Sequence, residues 1–193
     1  MDSGRWLRAA LGALLLAVAP PGGADHIGVM VRQHGEWISG VLIGERPTRY
    51  RILTEQVESG SYTELAVDLV EGDCERRFAT IDIHLRNPIE QDLKTEDLEG
   101  ALRVDRYPVH RVFYQIGALA GDMMLHLFLV DIEGQLVFWM EMAAGEAVRF
   151  RFPTERKDYH LRFPLEGFTE ALERATRLCN QPAAEKDRPY FGK

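Results

Sequence analysis

From residue 26 to about 163 the chain alternates short apolar runs with turn signals, at roughly the 8–12-residue spacing of all-β proteins. Gly35-Glu36, Gly44-Glu45-Arg46-Pro47, Ser59-Gly60, Glu71-Gly72-Asp73, Asn87-Pro88, Gly121-Asp122, Glu133-Gly134 and Gly145-Glu146 each supply residues suited to turns. Between them Leu65, Val67 and Leu69 repeat with period two, as do Ile81, Ile83 and Leu85, and Val148, Phe150 and Phe152. Period two places each set on one face of a strand, with Asp82, His84, Arg149 and Arg151 on the other. Met123–Val130 is apolar on both faces apart from His126, and Leu136–Met140 is apolar throughout. Read as strands, these two need cover on both sides. Phe168, Ala171, Leu172, Ala175, Leu178 and Cys179 then recur at helical offsets within 166–179, which predicts one amphipathic helix docked on the strands. The expected fold is mainly β, an antiparallel β-sandwich-like domain with one C-terminal amphipathic α-helix.

The segment before this pattern has a different character. Arg5 and Arg8 precede the eleven apolar or small residues Ala9–Ala19, and Pro20-Pro21 and Gly22-Gly23-Ala24 follow. That is the order of a secretory signal, and eleven residues at ~1.5 Å each cover about half of a ~30 Å hydrocarbon core. The reading is therefore a cleaved leader over residues 1–24, one β-rich domain over 25–179 and a loose tail over 180–193. No stable membrane anchor is expected after cleavage.

Export sets how the two cysteines are read. Cys74 and Cys179 are the only pair, and an oxidising compartment favours a single structural disulfide between them. The chain has 193 residues with a formal net charge of -7, so a sequence-independent grip on nucleic acid is poorly supported.

Motifs that carry chemistry are sparse. The sequence has no Gly-rich phosphate loop, no G-x-S-x-G and no H-E-x-x-H, and its six histidines lack the close spacing of a zinc site, so neither cofactor nor metal is expected. The acidic stretch Ile89–Glu99 is ambiguous: a short surface helix or a solvated acidic face, without the ligand pattern of a calcium loop. His126, inside an apolar run, is expected as a core histidine with a hydrogen-bond partner. With Trp139 and the neighbouring Arg149 and Arg151 it makes up the candidate ligand or partner surface.

Phe163-Pro164-Leu165-Glu166-Gly167-Phe168-Thr169-Glu170-Ala171-Leu172, followed by Cys179, resembles the closing segment of small exported proteobacterial proteins of the invasion-associated locus B type. The resemblance covers about twenty residues of this chain. It implies a β-rich periplasmic protein of the envelope or host interface, with no established enzymatic chemistry and no functional residues to transfer. The additional cysteines common in that family are missing here, so its disulfide pattern does not carry over.

Together these features predict an exported, non-enzymatic binding or interaction module of the bacterial envelope, taking an envelope protein or a small ligand. Two alternatives stand beside it. One is a periplasmic hydrolase whose His and carboxylate groups come from several strands, with His84, His110, His126 and His160 as the histidines available. The other is a carrier of a small apolar ligand between sheet and helix, lined by Met123-Met124 and Met140-Met142.

Overall fold

The computed structural model describes residues 28–42, 46–58, 61–154 and 157–181. The expected leader and the tail from residue 182 onward lie outside the described residues. Ten strands form one antiparallel sheet: β1 (Val29–His34), β2 (Trp37–Leu42), β3 (Arg49–Glu58), β4 (Ser61–Val70), β5 (Asp73–His84), β6 (Leu93–Val104), β7 (His110–Ala118), β8 (Met124–Ile132), β9 (Ala147–Pro153) and β10 (Asp158–Pro164). Their order across the sheet is β1-β2-β3-β4-β5-β8-β7-β6-β9-β10. Two helices complete it, α1 (Gln135–Ala144) between β8 and β9 and α2 (Phe168–Cys179) after β10.

The expectation of a mainly antiparallel β domain with a C-terminal helix holds. The two layers are one continuous sheet that folds back, so that β10 packs against β3 without pairing to it. Period two decides which residues meet inside: Tyr50 and Ile52, Leu65, Val67 and Leu69, Ile81 and Ile83, Val112 and Tyr114, and Val148, Phe150 and Phe152 join one core. α2 lays Phe168, Ala171, Ala175 and Leu178 into that core beside β2 and β3.

Two bonds close the fold where its ends meet. Trp37 Nε1 donates to the Pro164 carbonyl at 2.9 Å, and the Glu36 amide donates to the Glu166 carbonyl at 3.0 Å. The edge of Phe168 meets the Trp37 ring at 5.0 Å between centroids. The residues that carry the C-terminal sequence resemblance thus form the joint between the last strand, the helix and the first hairpin. Cys74 and Cys179 are joined as expected, with Cα atoms 5.8 Å apart, which ties the end of α2 to the start of β5.

Three local readings change. Leu136–Met140 is not a strand but the first part of α1, which adds a second helix. Phe138, Trp139 and Met142 are buried at helical offsets, and the run continues through Glu141-Met142-Ala143-Ala144, so ten residues lie between Gly134 and Gly145. A purely apolar run carries no period of its own, and length is what separates helix from strand in such a case.

In the acidic stretch Glu90, Asp92, Glu96, Asp97 and Glu99 are all exposed, a solvated acidic face as expected, but the short helix does not form, because β6 begins at Leu93. A bulge between Thr95 and Leu98, with Asp97 at φ 57°, inserts one residue and moves the inward positions from Leu93 and Thr95 to Leu98 and Gly100. That shift in parity hides the alternation from a sequence reading. Finally, among the described residues β8 is covered on one side only: Leu125 and Leu127 are buried, while Phe128 and Val130 are exposed on the outer face.

Candidate functional site: an apolar cavity between the layers

The loop after β5 crosses one end of the folded sheet before β6 begins, and this leaves a cavity of about 370 Å³. Leu85 and Ile89 from the loop, Leu93 and Leu98 from β6, Ile116 from β7 and Leu125 from β8 line it. Tyr159 of β10 faces them from the other layer. The strand side chains point inward by alternation, yet Leu85, Leu93, Leu98 and Tyr159 stay only partly buried because, among the described residues, no segment fills the space between them.

The wall is held by backbone bonds rather than by packing alone. The Ile89 amide donates to the Asp122 carbonyl at 2.9 Å, the Gly121 amide to the Ile89 carbonyl at 2.8 Å, and the Ala120 amide to Asp92 Oδ1 at 2.8 Å. Across the cavity the Thr154 hydroxyl donates to the Lys157 carbonyl at 2.7 Å, closing the β9–β10 turn. Glu90, Gln91, Thr95 and Thr154 are the polar members of the lining, and among the described residues Glu90 is its one charged residue. Burial pushes the Tyr159 phenol up, so it is neutral across the physiological range, and the Lys157 ammonium lies 4.6 Å from the centre of its ring. Such a site favours an apolar molecule that needs few hydrogen bonds.

None of the methionines expected to line a carrier site borders this cavity. Met142 is in the core under α1, and Met140 points to solvent. Trp139, expected on a binding surface, is 6% exposed: its ring stacks 6.4 Å from Phe168 and the Arg77 guanidinium covers it at 5.2 Å. α1 instead exposes Leu136 at 75%, Val137 at 53% and Met140 at 65%, an apolar strip facing solvent. Under the helix, His110 Nδ1 donates to the Glu133 carbonyl at 3.0 Å, and its Nε2 lies 2.8 Å from Glu141 Oε2.

His126 does have the expected partner but is not in the core. It lies half-exposed on the outer face of β8, with Nδ1 2.7 Å from Asp82 Oδ1 on β5. That hydrogen bond raises the imidazole pKa against the opposing effect of burial. The register continues the row to Glu64 of β4, opposite Asp82, and to Glu55 of β3, opposite Glu64. Beside it Arg51 Nε and Nη2 donate to the two oxygens of Asp68 at 2.7 and 2.8 Å. His84 shares this face, with its ring 4.4 Å from Tyr62. His160 is exposed on β10, far along the sheet order from His126. Of the four histidines weighed for a hydrolase, His84 and His126 share the outer face of β5 and β8 beside Asp82, His110 lies under α1 and His160 on β10, and none borders the cavity.

Glu64 is the least satisfied member of the row. It is 2% exposed, and its Oε1 has no hydrogen-bond partner among the described residues. Burial first, and the Asp82 carboxylate second, push its pKa up to about 7 from an ordinary 4.5. Between these values the folded state holds a proton that the unfolded chain has released, so stability falls as pH rises from about 4.5 to 7. Glu64→Gln removes that ionisation. Urea unfolding should show equal stability for variant and parent near pH 4, and a gain of about 2–3 kcal/mol for the variant at pH 8. The raised pKa of His126 adds a term of the same sign, lost as pH rises through its folded value, so the parent's stability should be greatest at mildly acidic pH.

One pair escaped the sequence reading altogether. Ser39 is fully buried, His34 Nε2 lies 2.8 Å from its Oγ, and Arg174 Nη1 donates to the same oxygen at 2.8 Å. Burial lowers the His34 pKa, aided by Arg32 and Arg174, so the neutral ring accepts from the serine hydroxyl. Ser39 is buried between the first hairpin and α2 while His34 is only partly covered, and through Arg174 the pair ties the helix down. The remaining surface residues named from sequence, Arg149 and Arg151, lie on the outer face of β9, where Arg151 Nη2 donates to Asp158 at 2.8 Å.

A solved structure shares this architecture. The crystal structure of invasion associated protein B from Bartonella henselae aligns with a TM-score of 0.52 and 15% identity, over 78% of this chain and 97% of that one. The fold resembles that protein's. No protein-family model and no curated protein matches the chain. At 15% identity the likeness extends to the fold alone.

Proposed function

We propose that the protein is an exported, non-enzymatic binding module of the bacterial periplasm that holds a small apolar ligand in the cavity between its layers. The observation that carries this reading is the cavity itself: about 370 Å³, walled by Leu, Ile and Tyr side chains on backbone-bonded segments, with one carboxylate among the described residues of its lining. That volume lies within the ~300–1,000 Å³ of ordinary small-molecule sites. The disulfide and the leader-like first 24 residues support export, and the resemblance to exported envelope proteins supports the compartment.

Fluorescence titration with N-phenyl-1-naphthylamine, a neutral apolar probe, tests the reading. Saturable one-site binding is expected, weakened at least tenfold in Leu98→Trp, where an indole occupies the space. Thermal unfolding of the variant checks that it is folded, and Thr95→Trp, at an exposed position of the same lining, provides a second way to block the site. Probe binding that both variants leave unchanged would overturn the assignment, as would turnover on a hydrolase substrate panel.

A second reading, interaction with another envelope protein, rests on the apolar strip of Leu136, Val137 and Met140 on α1. It predicts a partner that co-purifies from envelope extract with the parent but not with a Leu136→Asp, Met140→Asp variant whose probe binding is intact.

A further inference from the structure

Pairing of β6 with β9, and of β9 with β10, aligns three arginines. Arg103 is directly opposite Arg149, and Arg149 is directly opposite Arg162. All three are exposed on the outer face. Directly opposed side chains have Cβ atoms only ~4.5–5.5 Å apart, and like charges in that relation destabilise a sheet. Elsewhere on this surface the chain compensates its arginines, as Arg151 with Asp158 and Arg111 with Glu99. No ion pair or hydrogen bond involves the side chains of Arg103, Arg149 or Arg162 among the described residues. Three uncompensated guanidinium groups in register, on a chain of net charge -7, form a local anion site that the overall charge conceals.

A second feature adjoins this row. Arg149 also borders a shallow polar depression together with Arg106 and Tyr107 of the β6–β7 turn, and with Glu146. Tyr107 is 42% exposed, with a ring available for stacking. The nearby Asp105 carboxylate is occupied, since it accepts from the Glu146 and Ala147 amides at 2.7 and 3.0 Å, which leaves Glu146 as the free carboxylate at this edge.

We infer that the outer face of β6, β9 and β10 binds an acidic glycan, with Arg103, Arg149 and Arg162 taking successive carboxylates and Tyr107 stacking on a sugar ring. Strands lie ~4.7–4.9 Å apart, so the arginines repeat at about the length of one sugar residue in an extended chain. One guanidinium per strand therefore suits a polymer with one carboxylate per sugar. Guanidinium pairs with carboxylate through two parallel hydrogen bonds, and an aromatic face with a polar tip suits a sugar's apolar side. A phosphate polymer or an anionic membrane would use the arginines alike but would not need the tyrosine.

The test titrates the disulfide-bonded protein with tetragalacturonate, and in parallel with inorganic polyphosphate and with phosphatidylglycerol vesicles. The expected result is saturable tetragalacturonate binding that weakens with salt, falls at least tenfold in the Arg103→Ser, Arg149→Ser, Arg162→Ser variant and falls severalfold in Tyr107→Ala. The slope of log affinity against log salt should drop toward zero in the triple variant. Because that variant relieves repulsion, its melting temperature should equal or exceed the parent's, which separates lost binding from lost folding. Tetragalacturonate binding that the triple variant retains would overturn the site. Tighter binding to polyphosphate or vesicles, with Tyr107→Ala without effect, would overturn the glycan assignment.

Discussion

Replacing Cys74 and Cys179 by alanine should cost the fold about 4–5 kcal/mol, the chain-entropy value for a bond closing a loop of 105 residues. A domain of this kind has roughly 5–15 kcal/mol in all, so the double variant should be unfolded, or nearly so, at moderate urea. The loss is large because of what the bond holds. α2 has 12 residues, too few for an independent helix in water, and its buried face supplies Phe168, Ala171, Ala175 and Leu178 to the core. Without the tether the helix can leave and expose the inner face of β2 and β3. Urea unfolding of the oxidised parent, the reduced parent and the double variant measures this. The reduced parent and the variant should unfold at similar, much lower midpoints, and an unchanged midpoint on reduction would show that the bond does not carry the stability assigned to it.

Gly167→Ala should be nearly as severe, at about 3–5 kcal/mol. Gly167 has φ 88°, in the region that costs an L-residue roughly 1–2 kcal/mol. The larger part is steric. A Cβ there would fall on the carbonyl of His34, and one on the facing Gly35, at φ 52°, would lie 2.7 Å from the Glu166 carbonyl oxygen. Both obstacles are backbone, so relief requires the β1–β2 hairpin and the start of α2 to move apart. That movement would break the Glu36–Glu166 bond and withdraw Phe168 from Trp37. Gly72→Ala is the control: its φ is also 88°, but nothing lies within 4 Å of the added carbon. Its cost should be about 1–2 kcal/mol, the conformational part alone. Equal losses for the two substitutions, by urea or thermal unfolding, would mean that the close approach at Gly167 does not matter.

These two predictions concern features of different legibility. The disulfide follows from two cysteines in a chain expected to be exported, because with one pair available the only question is the compartment. Gly167 and Phe168 were visible as a short resemblance, but why a glycine stands there is decided by a hairpin some 130 positions away in sequence. The candidate site was less legible still. Leu85, Leu93, Leu98, Ile116, Leu125 and Tyr159 each looked like ordinary inward strand positions, and their sequence neighbours do not show that no side chain fills the space they enclose. Trp139 and Met140 were misplaced because an unbroken apolar run is consistent with both a strand and a helix. The sequence predicts a polar partner for His126 but not its half-exposure, which depends on no described element packing over the outer face of β8.

By itself the sequence determined the faces: period two assigned Val148, Phe150 and Phe152 inward and Arg149 and Arg151 outward, since successive side chains of an extended strand point to opposite sides. It also determined the C-terminal helix and the cysteine pairing. Only the tertiary structure decided neighbours and register. Nothing near Arg103 in the chain announces that Arg149 and Arg162 will stand beside it, and nothing near Asp82 announces His126. Side-chain periodicity is a local consequence of backbone geometry, whereas cross-strand register depends on which distant strands pack together, and the charge row, the buried carboxylate and the cavity all arise at that second level.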